Sequence, residues 1–476
     1  MIGYDSAFIG TSISLASFKK EFGLKKLSTT EFNLVSANIV SMYQARCFFG
    51  AIFGYPIGYF LGRQYGLFLS AVVFVIGAAM QTGSSSSTGL GLIYGRPIIV
   101  GLAISVASNL APIYVADWIN YRVTLHVSAG RKQWLIAFAM QLIPGGLLAL
   151  GSPFLSESPR WLVSRDRNDD AVKSLSKIRN LPADHPYLVE EVSAIEAAVA
   201  HEKSLAGAGF FGPVRTVFSD KKLVVRLLLG SSLFAWQNAT GINAINYDSP
   251  TIFKSIGVTG THASLLTTGV YGIIKLFGAL FWLLYVVDYF GRHPTLIVGS
   301  VGGAVCMYYT IAIAKPQLHP TTSLSSGGKS AIAFFYLWTV FYSPSWNGTP
   351  WVFTAEVFPQ HTRTFTQACM AASNWLYSFL IARFTPQMFS AMGYGVYLFF
   401  ASLMVLSIVF VFLFVPETKQ VPLERMEEIF APGLPVWRAH STVMRELRLE
   451  KHEYGSEEEK DQGTVETFEK ASQGSV

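Results

Sequence analysis

Apolar runs about as long as a membrane crossing recur along the chain, parted by brief polar punctuation. They predict helices near 34–61, 65–83, 89–116, 134–153, 224–247, 263–287, 294–314, 329–355, 365–384 and 396–415, with a partial one over 1–18. A crossing helix takes about 20 residues, so most of these can span. The opening segment is marginal: Asp5 lies four places from the initial Met, and no basic stretch precedes the apolar residues, which argues against a secretion signal. The expectation is an all-α polytopic membrane protein with about eleven recognisable spans.

Within this pattern one segment is out of character. Trp236-Gln-Asn-Ala-Thr-Gly-Ile-Asn-Ala-Ile-Asn-Tyr-Asp248 continues the apolar run Leu227–Phe234, yet it carries Gln237, Asn238, Asn243 and Asn246. A bare amide in hydrocarbon costs roughly 4–8 kcal/mol. These groups must therefore face other helices or a water-filled cavity. Read as the second half of one helix, the segment places Gln237, Thr240 and Asn243 on one face, about 9 Å long at about 1.5 Å per residue. Carboxamides donate and accept without charge, which suits a neutral or weakly charged polyol.

Composition agrees. Of 476 residues 51% are hydrophobic and only 14% charged, with a mean hydropathy of +0.38; soluble domains carry about 25% charged residues. The net charge of +6 and pI near 9.0 are those of basic cytoplasmic loops and give no reason to expect nucleic acid as a partner. Cys47, Cys306 and Cys369 are scattered through apolar segments and imply neither a disulfide framework nor a metal site. No phosphate-binding loop, nucleophile constellation or metal spacing is present, so neither an enzyme nor a cofactor is expected. Lys and Arg concentrate in 154–222, which holds ten of them, whereas 84–90 and 385–395 have none and 248–262 only Lys254. The long loop, and with it Gly62–Tyr65 and Asp288–Pro294, is expected to be cytoplasmic. Arg226, Lys275 and Arg383 fall toward predicted helix ends, where their side chains can snorkel. Arg46 has no evident partner in its predicted span.

The chain also repeats itself. Gly58-Tyr-Phe-Leu-Gly-Arg63 answers Asp288-Tyr-Phe-Gly-Arg292, Pro112-Ile-Tyr-Val-Ala-Asp117 answers Trp351-Val-Phe-Thr-Ala-Glu356, and Ser156-Glu-Ser-Pro-Arg160 answers Val415-Pro-Glu-Thr-Lys419. Two like halves around a long loop point to a transporter built of parallel repeats. The expected division is an N-terminal bundle over 1–153, a linker with short helices over 154–222, a C-terminal bundle over 223–415, and a cytoplasmic tail over 416–476 whose acidic end, Glu450–Val476, is expected to be disordered. The repeat is uneven. Glu356 and Glu417 stand 61 positions apart with two helices between them; Asp117 and Glu157 stand 40 apart with one. The difference of 21 is about one span.

Taken together these motifs resemble the sugar porter family of the major facilitator superfamily, over essentially the whole chain. Trp236–Tyr247, Pro344-Ser-Trp-Asn-Gly-Thr-Pro-Trp351 and Phe384-Thr-Pro-Gln-Met-Phe389 look like its fungal quinate permease branch. The resemblance implies twelve helices in two bundles and proton-coupled symport of quinate or a monosaccharide by alternating access. It also implies a monomeric, multi-pass protein of the plasma membrane, whose partners are a small polyol or sugar, the proton and the bilayer. Against that pattern the chain lacks the start of the first helix and most of the fifth, since Ala116-Asp117 runs straight into Trp118. A transport-inactive product and a sugar sensor are therefore the competing expectations.

Family positions map residue by residue. Gln237, Asn238, Asn243, Trp351, Asn374 and Trp375 match substrate contacts, where indole rings stack on sugar faces. A belt or core role is the plainer reading for any tryptophan, but Trp351 and Trp375 are expected beside polar helix breaks, at Pro350 and Asn374. Asp248 stands where the family has Tyr and is expected to be solvated at the helix end. Asp5 and Arg96 match the proton-linked aspartate and its arginine, a pairing that can switch protonation as it moves. Arg63, Asp288, Arg292, Glu157, Arg160, Glu356, Arg363 and Glu417 match a cytoplasmic charge network that latches one conformation. For the arginines the plain alternative is the positive-inside bias. Gly62, where many members carry Asp, is expected to weaken the first-half latch.

Overall fold

A helix that begins at Thr29 runs for 54 residues to Thr82, far more than one crossing needs. Its start is set by a reciprocal cap: Ser28 Oγ accepts from the Glu31 amide at 3.3 Å, and Glu31 Oε2 accepts from the Ser28 amide at 2.9 Å. At Gly62 the backbone turns to φ 80°, ψ −175°, so the rod is two spans joined at a one-residue break, where the sequence suggested a loop of four. The computed structural model describes residues 15–83, 122–123, 126–128, 130–140, 142–207, 209–244, 261–286, 289–314, 326–393, 395–422, 425–431 and 433–449.

In chain order the first half comprises α1 (Ala16–Glu21), α2 (Thr29–Thr82), α3 (Arg131–Met140) and α4 (Leu142–Gly151). The edge of Phe18 meets Trp134 at 5.8 Å, and Ser17 Oγ donates to Gln133 Oε1 at 2.7 Å, fastening α1 to α3. The linker follows as α5 (Pro159–Ser164), α6 (Asn168–Arg179), α7 (Pro186–Ala206) and α8 (Gly212–Ser219). It has small cores of its own, one of them Leu162, Val163, Ala171 and Val199. The second half is α9 (Lys221–Ala239), α10 (Thr261–Phe281), α11 (Arg292–Ala314), α12 (Ser326–Tyr342), α13 (Thr349–Val357), α14 (Gln360–Met392) and α15 (Gly395–Phe414). Its core centres on Leu296, Phe335, Trp338, Tyr342, Trp346 and Met404. Every described element is helical. Among the described residues five stretches are long and apolar enough to cross a membrane: Leu34–Thr82, Arg131–Phe154, Gly269–Val286, Arg292–Ala312 and Gly395–Phe414.

The two halves meet where α14 runs along α2. Tyr43 packs edge-on against Trp375 at 6.0 Å, and Tyr55 against Phe365 at 5.5 Å.

Several expectations are corrected. The helix expected over 329–355 is two, α12 and α13, separated by a turn over 343–348 in which Pro344 supplies no amide donor and Gly348 is a weak helix former. Conversely, α14 passes through Asn374 without a break. Lys275 and Arg226 do not snorkel: they are 6% and 2% exposed. Arg46 is buried and not without a partner. Past Pro416 the chain forms α16 (Met426–Ile429) and a helix over 436–449, closed around Val421, Met426, Ile429, Ala439 and Val443.

Candidate functional site

The carboxamide segment is not one helix. Asp220 caps the start of α9 by accepting from the Lys222 amide at 2.9 Å, but the helix stops at Ala239, and Gly241 stands at φ 86° against the ring of Phe400. A side chain there would be strained in the left-handed region and would collide with that ring. The reversal breaks the expected face: Gln237 and Asn243 point into different surroundings.

Asn238 becomes the hub. Its Oδ1 accepts from Asn243 Nδ2 and from Ser378 Oγ, the latter at 2.8 Å. Its Nδ2 donates to Phe234 O at 2.8 Å and to Asn374 Oδ1 at 3.3 Å. Asn243 Nδ2 also donates to Ser378 Oγ at 2.9 Å. Four side chains from α9, the turn after it and α14 thus form one network with the Asn238 amide saturated. Ser378 was not anticipated; its place one turn beyond Asn374 on the same face of α14 was the available signal.

Gln237 faces the interrupted helix instead. Its Nε2 donates to the carbonyls of Trp346 and Asn347 at 2.7 and 3.2 Å. Those carbonyls are free because the 343–348 turn has no helical donors for them. The turn is held rigid: Trp346 is fully buried and its indole donates to Ser300 Oγ at 2.9 Å, which in turn meets Ser407 Oγ at 2.8 Å. Trp282, also not anticipated, lies across Gly348 and donates to Thr349 Oγ1 at 3.2 Å. This fixes the amide orientation of Gln237, against which the Tyr342 hydroxyl also lies, and among the described residues its buried Oε1 accepts no hydrogen bond. An orphan acceptor of this kind costs about 1–3 kcal/mol. Shut from solvent in this conformation, it meets a ligand hydroxyl only when the surrounding helices part.

Trp351 and Trp375 flank the region at two places. Trp351 packs edge-on against Phe234 at 4.6 Å, and Trp375 stands at the seam between the halves against Tyr43.

Residues expected in the charge network form two matching nodes. Glu417 Oε1 and Oε2 accept from the amides of Arg292 and His293, both at 3.0 Å. Glu157 Oε1 and Oε2 accept from the amides of Arg63 and Gln64, both at 2.9 Å. Each node sits beside a glycine with positive φ, Gly291 at 87° and Gly62 at 80°. Gly62 therefore corresponds to Gly291, and the Glu157 node forms at it with no aspartate needed. In the second half Arg292 adds a two-pronged pair with Glu356, Nη2 to Oε1 at 2.5 Å and Nε to Oε2 at 3.2 Å. Thr418 Oγ1 donates to the same carboxylate at 2.7 Å. The Arg63 side chain is exposed. Arg160 pairs with Glu202 of α7, and Arg363 Nη2 donates to Phe358 O at 3.2 Å.

Asp5, Arg96, Asp248, Asp288 and the Asp117–Trp118 junction lie outside the described residues. The proton pair and the missing span are therefore expectations that the geometry does not address.

Comparison with known proteins sets this geometry in a family. The family described as "Sugar (and other) transporter" matches residues 1–118 and 113–430. The two matched pieces overlap at 113–118, at the uneven point of the sequence repeat. The quinate permease of Emericella nidulans is 52% identical over 94% of this chain and 89% of its own length. Probable quinate permeases of Aspergillus niger and Aspergillus fumigatus are 52% and 50% identical over 94% and 95% of this chain, and 88% and 89% of their own length. Among solved structures, the proton:xylose symporter XylE bound to 6-bromo-6-deoxy-D-glucose superposes with a TM-score of 0.73 at 24% identity, covering 90% of this chain and 96% of that one. Its partially occluded inward-open form from E. coli gives 0.69 at 22% identity, over 88% and 96%.

Proposed function

The chain belongs to the sugar (and other) transporter family, and from that premise we propose that it carries quinate or a monosaccharide across the plasma membrane, coupled to protons, by alternating access. That it is a multi-pass membrane transporter of the major facilitator fold follows from the family itself. The observation that carries the finer reading is the kinship over nearly the whole chain with proteins named for quinate. The buried, donor-less Gln237 Oε1 beside a saturated asparagine network supports it, since a polyol offers hydroxyls for such acceptors.

In this reading 1–153 and 223–415 are the two moving bundles, with 154–222 and 416–476 on the cytoplasmic side. Gln237, Asn243 and Asn374 hold substrate hydroxyls, Asn238 joins them by exchanging its protein partners, and Trp351 and Trp375 cover the substrate's apolar faces. Asp5 and Arg96 couple the proton. Glu157, Arg160, Arg63 and Arg363, with Asp288, Arg292, Glu356 and Glu417, latch the cytoplasmic side, each exposed pair weak enough to break and re-form. The protein acts as a monomer.

A second reading, substrate binding without completed transport, is favoured by the division of the family match at 113–118. One experiment separates them. Proteoliposomes carrying the chain are given radiolabelled quinate or hexoses with and without an inward proton gradient, beside equilibrium binding in detergent. Accumulation that follows the gradient and is lost in Asp5→Asn while exchange persists supports symport. Binding without accumulation or exchange supports the second reading.

A further inference from the structure

Away from the carboxamide network, a groove of about 480 Å³ opens at the end of the second half from which the tail departs. That volume lies in the range of ligand sites, roughly 300–1,000 Å³. Val225 and Leu229 of α9, Phe410 and Phe414 of α15, and Phe430 and Leu434 of the tail line it. Its one hydroxyl, Ser232 Oγ, is spent on Leu229 O at 2.7 Å. Leu228, 63% exposed, and Phe414, 55% exposed, form the outward lip. In a chain of this hydropathy such surface faces acyl chains.

The tail wall is pinned from below. The Arg226 guanidinium lies 4.7 Å from the Phe430 ring and donates to Val357 O at 3.2 Å. Beyond that wall runs the helix over 436–449, whose inner side is Ala439 and Val443. At 3.6 residues per turn, Trp437, Arg438, Ser441, Arg445 and Arg448 fall within about 100° on the other side. All five are exposed. None of the three arginines is in an ion pair among the described residues. Trp437 stacks on Phe412, ring centroids 5.9 Å apart and planes 5° apart, and Phe412 is a half-exposed, outward residue of the spanning helix α15. The arginine face is thus held against the bilayer surface by an indole at the acyl boundary.

We propose that the groove and this arginine face together form a binding site for an anionic phospholipid of the tail-side leaflet. One acyl chain lies between α9 and α15, and the phosphate lies by Arg438, next to the groove-lining Leu434 and Val436, while Arg445 and Arg448, about two and three turns further on, extend the positive face that attracts it. An apolar slot and a basic surface that meet at the boundary are complementary to such a lipid at both of its ends. A zwitterionic lipid would gain only the slot, and the arginines would not select it.

The test uses the full chain reconstituted in phosphatidylcholine vesicles with a trace of phosphatidylglycerol carrying a photoactivatable acyl chain, crosslinks being mapped by peptide mass spectrometry. Labelling is expected to concentrate in 225–232, 410–416 and 429–436. Unlabelled phosphatidylglycerol should displace it, while inorganic phosphate and added phosphatidylcholine do not. It should fall by roughly fivefold for each arginine replaced in the series R438Q, R445Q and R448Q, and Leu228→Trp should suppress it by filling the lip. Uniform labelling over all spans, equal displacement by phosphatidylcholine, displacement by phosphate, or undiminished labelling in the triple variant would each overturn the site. Because the readout is binding, its failure leaves the transport reading untouched, and failed transport leaves the site untouched.

Discussion

Glu157 occupies the space that a side chain on Gly62 would need: a methyl group there would fall 2.5 Å from Glu157 Oε2. Gly291 and Glu417 repeat the relationship in the other half. In both, a glycine at positive φ lets the next two amides converge on a carboxylate from a distant segment. At φ 80° and ψ −175°, a region essentially reserved for glycine, Gly62→Ala would cost about 1–3 kcal/mol and displace the carboxylate as well. We expect Gly62→Ala and Gly291→Ala each to lower the melting temperature in detergent by several degrees, with Gly62→Asp worse because it adds charge repulsion. A Gly62→Asp variant as stable as the parent would show that the node does not hold the two spans together.

The Arg292–Glu356 pair differs from the exposed pairs of the linker because the arginine side chain is only 9% exposed. Removing one charge strands the other in a poorly solvated place. Breaking a buried pair costs about 3–5 kcal/mol, whereas replacing both partners costs much less. Arg292→Gln and Glu356→Gln should therefore each destabilise strongly, and the double variant less than the sum of the two. A thermal or chemical denaturation cycle reads the coupling directly. Additive losses would place the pair among the exposed ones, worth about 0–1 kcal/mol.

The repeat itself was legible because its carriers are local: Gly62-Arg63 and Gly291-Arg292 are adjacent residues, and Glu157 and Glu417 each follow a recognisable helix end. The polar character of 236–248 was equally plain, since carboxamides in an apolar run have few places to go. Which carboxamide becomes the hub was not legible. It turns on the helix stopping at Ala239 and on Gly241 at φ 86°, a two-residue event that periodicity averages away. Gln237 was expected to share a face with Asn243, and the kink sends it to Trp346 O instead. A single serine or tryptophan in an apolar helix, as at Ser378 and Trp282, carries no spacing signal, and Trp346 stands in the Pro344–Trp351 motif without any sign of its partner. Their roles come from partners more than forty positions away.

The hub and the orphan acceptor predict different binding defects. Asn238→Ala removes donor and acceptor together, leaving Ser378, Asn243 and Asn374 to rearrange. Gln237→Leu removes the acceptor and frees two carbonyls at the helix break. At about 1–3 kcal/mol per unsatisfied group, both should weaken equilibrium binding of labelled substrate by about tenfold or more. Gln237→Glu keeps an acceptor but turns a carboxylate toward the Trp346 and Asn347 carbonyls, so it should bind worse than Gln237→Leu. Unchanged affinity in Gln237→Leu would remove Gln237 from the substrate site.

The linker grips the first half through an aromatic knot that its charge pattern did not foretell. Phe210 stacks on Tyr55 at 4.9 Å and on Phe60 at 5.3 Å, and its carbonyl accepts from Tyr55 Oη at 2.6 Å. Arg165 covers Tyr59 at 4.4 Å and donates to its carbonyl at 2.5 Å. On its other side Tyr55 meets Phe365 of α14, so a single tyrosine touches both halves and the linker. Each aromatic pair is worth about 0.5–1.5 kcal/mol beyond burial, and the hydrogen bond about 1 kcal/mol. Phe210→Ala should therefore loosen the joint by about 2 kcal/mol, raising amide exchange over 209–219 by about thirtyfold without changing exchange in the α11 core. Tyr55→Phe keeps the stacking and loses only the hydrogen bond, so it should raise exchange by about fivefold. If both variants exchange like the parent, the grip of the linker rests on the Glu157 node and on Arg165 and Trp161 at the Tyr59 carbonyl instead.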